Sequence, residues 1–168
     1  MRMTFLRSYC ACLAVAAALL GSSGGARAQE NSASVLADKI FARKILMDTI
    51  DTRMDSIDFM VTSNKPMDFA SAVDDADTIS AMLLAFPHLF PPETNQWKQD
   101  AKRDPARDTF ASPELWVKFA DFYRRAGEAS RIALEASQAK KVEEFKTHFE
   151  ALRAACDACH ALYVKPGD

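Results

Sequence analysis

Apolar residues recur every three or four positions over most of the chain, and this spacing predicts four amphipathic helices. The first helix is predicted from Val35 to Val61, with one charged residue, Arg43, on its otherwise apolar face. That face carries Leu36, Ile40, Met47, Ile50, Met54, Ile57 and Val61. The second helix is predicted from Asp68 to Phe86, where Pro87 ends it.

The second half of the chain predicts two more helices after a long connection. Residues 87–111 contain four prolines and indicate an ordered crossover. Ser112, Pro113 and Glu114 are typical of a helix start, with Ser112 as N-cap, and the third helix is predicted to end near Ser137. The fourth carries a stripe of Val142, Phe145, Phe149, Leu152, Cys156, Cys159 and Tyr163. No strand-like alternation competes, so the fold class is all-α: an antiparallel up-down four-helix bundle with a longer crossover between helices 2 and 3.

The N-terminus has the pattern of a secretory signal peptide. Arg2 and Arg7 lead into an apolar run, Tyr9–Leu20, and an A-x-A site follows at residues 26–28. The alternative, a membrane anchor, is disfavoured because the run is too short to span a bilayer. We therefore expect residues 1–28 to be a cleaved signal peptide and residues 29–168 to be the bundle domain, located in the periplasm.

Composition and charge narrow the possible partners. The chain is 49% apolar and 26% charged, as in an ordinary globular domain. Its net charge is −2, and loss of residues 1–28 removes three arginines and no acid, giving about −5. This acidic balance argues against nucleic acid or anionic lipid as a partner, so we expect no nucleic-acid binding and no membrane association after signal removal.

The two cysteines of the predicted mature domain belong to a C-x-x-C-H motif at Cys156, Cys159 and His160. This is the attachment motif of a c-type haem. Thiols at i and i+3 share one helix face and can form thioethers with the haem vinyl groups, while His160 presents an imidazole to the iron. A thioredoxin-like dithiol would need a strand-turn-helix setting, and a zinc site would need further ligands. The motif therefore predicts one covalently attached haem c.

Over residues 31–165 the chain resembles the class II c-type cytochromes, the cytochrome c-prime and cytochrome c-556 family. The resemblance rests on the C-terminal position of C-x-x-C-H, on Leu89–Thr94 in the crossover and on Ala111–Trp116 at the third helix. It implies a four-helix bundle with one haem. Many members carry a basic residue four positions after the haem histidine, whereas Val164 stands there in this chain.

The resemblance also bears on the second axial ligand of the iron. Family members carry an Arg in the first helix and the distal residue four positions later, which Arg43 and Met47 match. In an antiparallel bundle the early part of helix 1 faces the late part of helix 4, whereas Met54 lies two turns farther on, about 10 Å away. A Met on an apolar stripe is otherwise more often core filling. The resemblance thus favours the low-spin c-556 type, with His160 and Met47 as iron ligands.

Arg43 has two interpretations: it binds a haem propionate through its guanidinium, or it extends to the end of the bundle. The function expected from the whole pattern is electron transfer by a periplasmic monohaem cytochrome with redox partner proteins, as monomer or homodimer. The alternative is a five-coordinate, c-prime-like haem that binds nitric oxide or carbon monoxide. No acid-base or nucleophile constellation indicates an enzyme.

Overall fold

The computed structural model describes residues 23–98 and 109–165, with side chains from residue 34 onward. The chain divides into two units, residues 1–35 and residues 36–168. In the first unit, residues 23–35 are helical. Residues 1–22, which carry most of the predicted signal peptide and two of the four cysteines, lie outside the described residues. All side-chain contacts and cavity residues discussed below belong to the second unit.

The described chain is helical and contains five α-helices. They are α1 (Ser23–Thr62), α2 (Phe69–Ala85), α3 (Glu114–Val117), α4 (Phe119–Gln138) and α5 (Val142–Tyr163), with two 3-10 turns, Phe86–Leu89 and Pro92–Thr94, in the crossover. Short connections join α1 to α2 and α4 to α5, which makes these pairs antiparallel neighbours. The all-α bundle with a long crossover is confirmed. Within residues 23–98 and 109–165, no helix is both long and apolar enough to cross a membrane.

The start of the predicted third helix differs from the prediction. The helix is interrupted at Lys118, whose φ of −111° and ψ of 36° lie outside the helical region, so that α3 and α4 are separate. Ser112 is not the N-cap, because Pro113 takes that position without a side-chain bond. Instead the buried Ser112 donates its N–H to the carbonyl of Tyr163 at 2.8 Å. The predicted capping residue therefore ties the crossover to the end of α5.

The predicted apolar stripes of the first and fourth helices are confirmed, since every position of both is buried or half-buried. They form two clusters. The bundle core contains Ile50, Ile57, Ala72, Ala76, Ile79, Leu83, Ala129, Ala133, Ala136, Ala139, Phe145, Phe149 and Leu152. The aromatic cluster contains Phe86, Phe90, Leu115, Phe122 and Tyr163, with Met47 and Cys159 among the half-buried residues packed against it.

A buried polar pair joins α2 to α4 inside the bundle. The Ser80 hydroxyl donates to the carbonyl of Ser130 at 2.9 Å, and the Ser130 hydroxyl donates to the carbonyl of Ser80 at 2.8 Å. Alanines line both helices beside this pair, so the backbones can approach closely. The reciprocal bonds satisfy both buried hydroxyls and fix the register of α2 against α4.

Candidate haem site

The last turns of α5 carry the C-x-x-C-H motif. Cys156 and Cys159 are half-buried, unbridged thiols, and His160 is exposed. An isolated antiparallel bridge between Ala111 and Val164 attaches the end of this helix to the crossover. Its two backbone hydrogen bonds run from the N–H of Ser112 to the carbonyl of Tyr163 and from the N–H of Lys165 to the carbonyl of Phe110, each at 2.8 Å. The segment that directly follows His160 is therefore held against the crossover.

The two thiols are not those of a reactive redox pair. Burial raises the pKa of Cys156 to about 11, and burial also raises the pKa of Cys159. Both cysteines are thus protonated at neutral pH, whereas reactive dithiols have lowered pKa values. In the described part of the chain, no group of three or more His, Cys, Asp and Glu side chains could hold a metal ion. The donor set fits thioether attachment to a macrocycle better than a dithiol or a zinc site.

One cavity of about 510 Å³ brings the predicted site residues together. Cys156, Cys159 and His160 line it from α5, and Arg43 and Met47 line it from α1. Its remaining walls are largely apolar and include Ile50, Leu83, Phe86, Phe90, Leu115, Phe122, Ala126 and Ala129. This volume and lining are those of a cofactor pocket.

Met54 also lines this cavity, so two methionines of α1 are available to it. Their packing differs. Met47 packs against the aromatic cluster, as Cys159 does, and also against the bundle core. Met54 packs against the bundle core alone. Met47 therefore shares a cluster with Cys159, which Met54 does not.

Arg43 is buried, with 2% of its surface exposed, and it contacts the crossover. Its Nε donates to the carbonyl of Leu89 at 2.8 Å, Nη1 donates to the carbonyl of Thr94 at 3.4 Å, and Nη2 donates to the Thr94 hydroxyl. Its guanidinium also lies 4.0 Å from the ring centroid of Phe90. Burial lowers the pKa of Arg43 to about 10, so it is charged at neutral pH. Arg43 does not extend to solvent, and its three bonded acceptors are neutral.

Sequence reasoning missed a group of polar residues between α4 and α5. Asp121 accepts hydrogen bonds from Tyr163 Oη at 2.6 Å, Arg125 Nε at 2.6 Å and Arg124 Nη2 at 2.7 Å. These donors, that of Tyr163 first, hold the pKa of Asp121 far below its usual value. Asp121 and Arg125 are spaced i and i+4, which predicts their pairing, but nothing local to the sequence joins them to Tyr163.

The sequence profile of the cytochrome c' family matches residues 38–163, which is most of the chain. The chain belongs to the cytochrome c' family. No curated protein matches it significantly in sequence. Proteins of the cytochrome c' family are c-type cytochromes with one covalently attached haem c, and they transfer electrons or bind small gases.

Solved structures of this family share the fold. Cytochrome c' from Thermochromatium tepidum superposes with a TM-score of 0.66 at 22% identity, covering 78% of this chain and 97% of its own. Cytochrome c' from Shewanella frigidimarina gives 0.64 at 22% identity, with the same coverage. Oxidised cytochrome c556 from R. palustris gives 0.64 at 20% identity, covering 78% of this chain and 98% of its own. Both subtypes match alike, so the c-556 assignment stays a prediction.

The residues of the cavity fit haem c. The family's haem is held by two cysteine thiols and a histidine, and Cys156, Cys159 and His160 supply that donor set at one cavity. The apolar walls suit the haem macrocycle, and the buried guanidinium of Arg43 suits a propionate carboxylate at the edge of the macrocycle.

Proposed function

We propose that this cytochrome transfers electrons in the periplasm with a haem iron ligated by His160 and Met47. The observation that carries the proposal is the shared cavity, which Met47 lines from α1 and His160 lines from α5. Met47 also packs against the same aromatic cluster as Cys159. Met47 is therefore already part of the cavity wall from which α1 would supply a second iron ligand.

The residues around the cavity then have separate roles. The haem, when bound, supplies an iron that alternates between the ferric and ferrous states. Cys156 and Cys159 would hold it through thioethers, and His160 would supply a nitrogen ligand to the iron. The Met47 thioether would supply the second protein ligand, which would raise the reduction potential and exclude an exogenous ligand. Keeping both protein ligands would also limit rearrangement between oxidation states.

Arg43 binds a haem propionate in this proposal. A guanidinium has five N–H groups, and the crossover accepts three of those of Arg43. The other two are available to a carboxylate. The bonded acceptors, Leu89 and Thr94, are uncharged, and a buried cation without an anionic partner is costly. A propionate would supply that partner.

Export is part of the same proposal. We infer that residues 1–28 are removed and that the domain from Gln29 onward works in the periplasm with protein redox partners, as monomer or homodimer. The support is the basic and apolar N-terminal pattern together with the family, whose members are periplasmic. One related cytochrome c' is described by its ligand-controlled dimer dissociation. Mass spectrometry of the exported protein tests this: we expect an N-terminus at Gln29, and a retained Met1 would contradict it.

The proposed ligation is tested by optical spectra of the holoprotein in both oxidation states. We compare wild type with Met47→Ala, using Met54→Ala as the matched control from the same cavity wall. We expect a low-spin wild-type spectrum with the weak ferric Met-to-iron band, which Met47→Ala loses and Met54→Ala keeps. If Met54→Ala alone loses the band, the ligand is misassigned.

The same spectra separate electron transfer from gas binding. A high-spin wild-type spectrum that neither substitution changes would contradict methionine ligation and favour a five-coordinate haem that binds nitric oxide or carbon monoxide. Addition of carbon monoxide to the reduced protein provides the second readout. We expect no rapid spectral change in wild type and a rapid change in Met47→Ala.

A further inference from the structure

The α4 wall of the haem cavity carries a charged side chain, Arg125, that the haem motif does not include. Arg125 lines the cavity together with Cys159 and His160, and 31% of its side chain is exposed. Its Nε donates to Oδ2 of Asp121, one helical turn earlier, at 2.6 Å. The Arg125 guanidinium is therefore held by the Asp121 carboxylate while its side chain lines the cofactor cavity.

The Asp121 carboxylate is itself held by a residue of α5. Tyr163 Oη donates to the same oxygen of Asp121 at 2.6 Å, and Tyr163 is only 3% exposed. Tyr163 follows His160 by three residues, so it lies on the same side of α5 as the haem histidine. Asp121 thus connects Arg125 to the segment that carries the haem ligands.

The ion pair has a direction relative to the cavity. Arg125 lines the cavity and Asp121 does not, so the pair presents its positive end to the cofactor. Arg153, another cationic residue of the wall, pairs with Asp58, and both members of that pair line the cavity. The charges of Arg153 and Asp58 therefore compensate each other within the cavity, whereas the carboxylate that compensates Arg125 lies outside the cavity wall.

We propose that Arg125, positioned by Asp121 and Tyr163, raises the reduction potential of the haem. Reduction adds one electron, taken from the redox partner, and neither forms nor breaks a bond. A nearby positive charge stabilises the reduced state more than the oxidised state, and low-dielectric walls strengthen the effect. Partial exposure of Arg125 allows solvent to screen part of the interaction.

This inference rests on haem attachment at Cys156 and Cys159, and not on Met47 as sixth ligand. It is tested by redox titration of the holoprotein, comparing wild type with Arg125→Gln, Arg125→Met and Arg125→Lys. We expect both neutral variants to shift the potential downward and Arg125→Lys to keep most of the wild-type value. Two neutral variants are used so that the result does not depend on the folding of one.

Arg124 offers a matched control. It pairs with the same carboxylate, that of Asp121, at 2.7 Å, but its side chain is 65% exposed and does not line the cavity. Arg124→Gln removes the same formal charge, and we expect a much smaller shift in potential than with Arg125→Gln. Equal shifts in the two variants, or no shift in either neutral Arg125 variant, would overturn the inference.

The outcome is separable from that of the proposed ligation. The optical spectrum of each Arg125 variant shows whether the axial ligands are retained, and we expect spectra identical to wild type. A Met47→Ala spectrum equal to that of wild type would overturn ligation by Met47 and leave the Arg125 comparison intact. A potential shift accompanied by a changed spin state in the Arg125 variants would instead show a structural effect and overturn the electrostatic one.

Discussion

The bond network of Arg43 permits a quantitative test of what holds the crossover to α1. Arg43 donates to the carbonyl of Leu89 and to both the carbonyl and the hydroxyl of Thr94, residues that lie 46 and 51 positions away in the chain. Thr94 is 1% exposed. The substitution Arg43→Met removes all three bonds and retains apolar contact with the ring of Phe90.

The expected loss follows from the number and kind of these bonds. A hydrogen bond from a charged donor contributes about 1.5–3 kcal/mol. Burial of the cation, which lowers the pKa of Arg43 to about 10, opposes part of this gain. We therefore expect Arg43→Met to lower the free energy of unfolding by about 3 kcal/mol. The pair of Arg43 with Thr94 Oγ1 should account for about half of that loss.

A double-mutant cycle isolates this pair. Thr94→Val removes the hydroxyl that accepts from Arg43 and also its 2.7 Å bond to the carbonyl of Pro91. Denaturant unfolding of the holoprotein, followed by circular dichroism, gives the free energy for wild type, Arg43→Met, Thr94→Val and the double variant. We expect a coupling energy of about 1.5 kcal/mol. Additive losses, with coupling below about 0.3 kcal/mol, would refute the reasoning that this contact stabilises the crossover.

Three other substitutions probe separate parts of the bundle. Ile57, fully buried in the bundle core, should lose about 3 kcal/mol of unfolding free energy as Ile57→Ala in denaturant titration; a loss under about 1 kcal/mol would contradict tight packing there. Ser80→Ala removes one bond to Ser130 and should cost about 1 kcal/mol in the same assay. Burial and Asp121 raise the pKa of Tyr163 to about 12, so its phenol contributes stability that is lost as pH rises from about 10 to 12. In Tyr163→Phe, unfolding midpoints measured across that range should fall less steeply than in wild type.

The parts of the fold that repetition determines were predictable. On α1 and α5 apolar residues recur on one face at every turn, so one misassigned position does not alter the predicted stripe. The same spacing predicted that Arg43 lies on the buried face. The same periodicity placed Cys156 and Cys159 together, because residues i and i+3 share a helix face whatever surrounds them.

Features that depend on contacts between distant segments were not predictable. Ser112 has the composition of an N-cap, yet its N–H bonds to Tyr163, which no local pattern encodes. The interruption at Lys118 is also invisible in a sequence without Gly or Pro at that position. At Ser112 the backbone pairing of the crossover with the end of α5 overrides the local N-cap signal.

Arg43 and Arg125 show why residue type alone does not assign a role at this site. Both are arginines on the wall of one cavity. The described bonds of Arg43 go to neutral groups of the crossover, which leaves its charge for the haem propionate proposed above. The charge of Arg125 is already balanced by Asp121, so Arg125 needs no further anion. It acts on the cofactor because the positive member of this ion pair faces the cavity and the negative member does not. Loss of Arg43 should therefore weaken folding and haem seating, whereas loss of Arg125 should change the reduction potential and leave the spectrum unchanged.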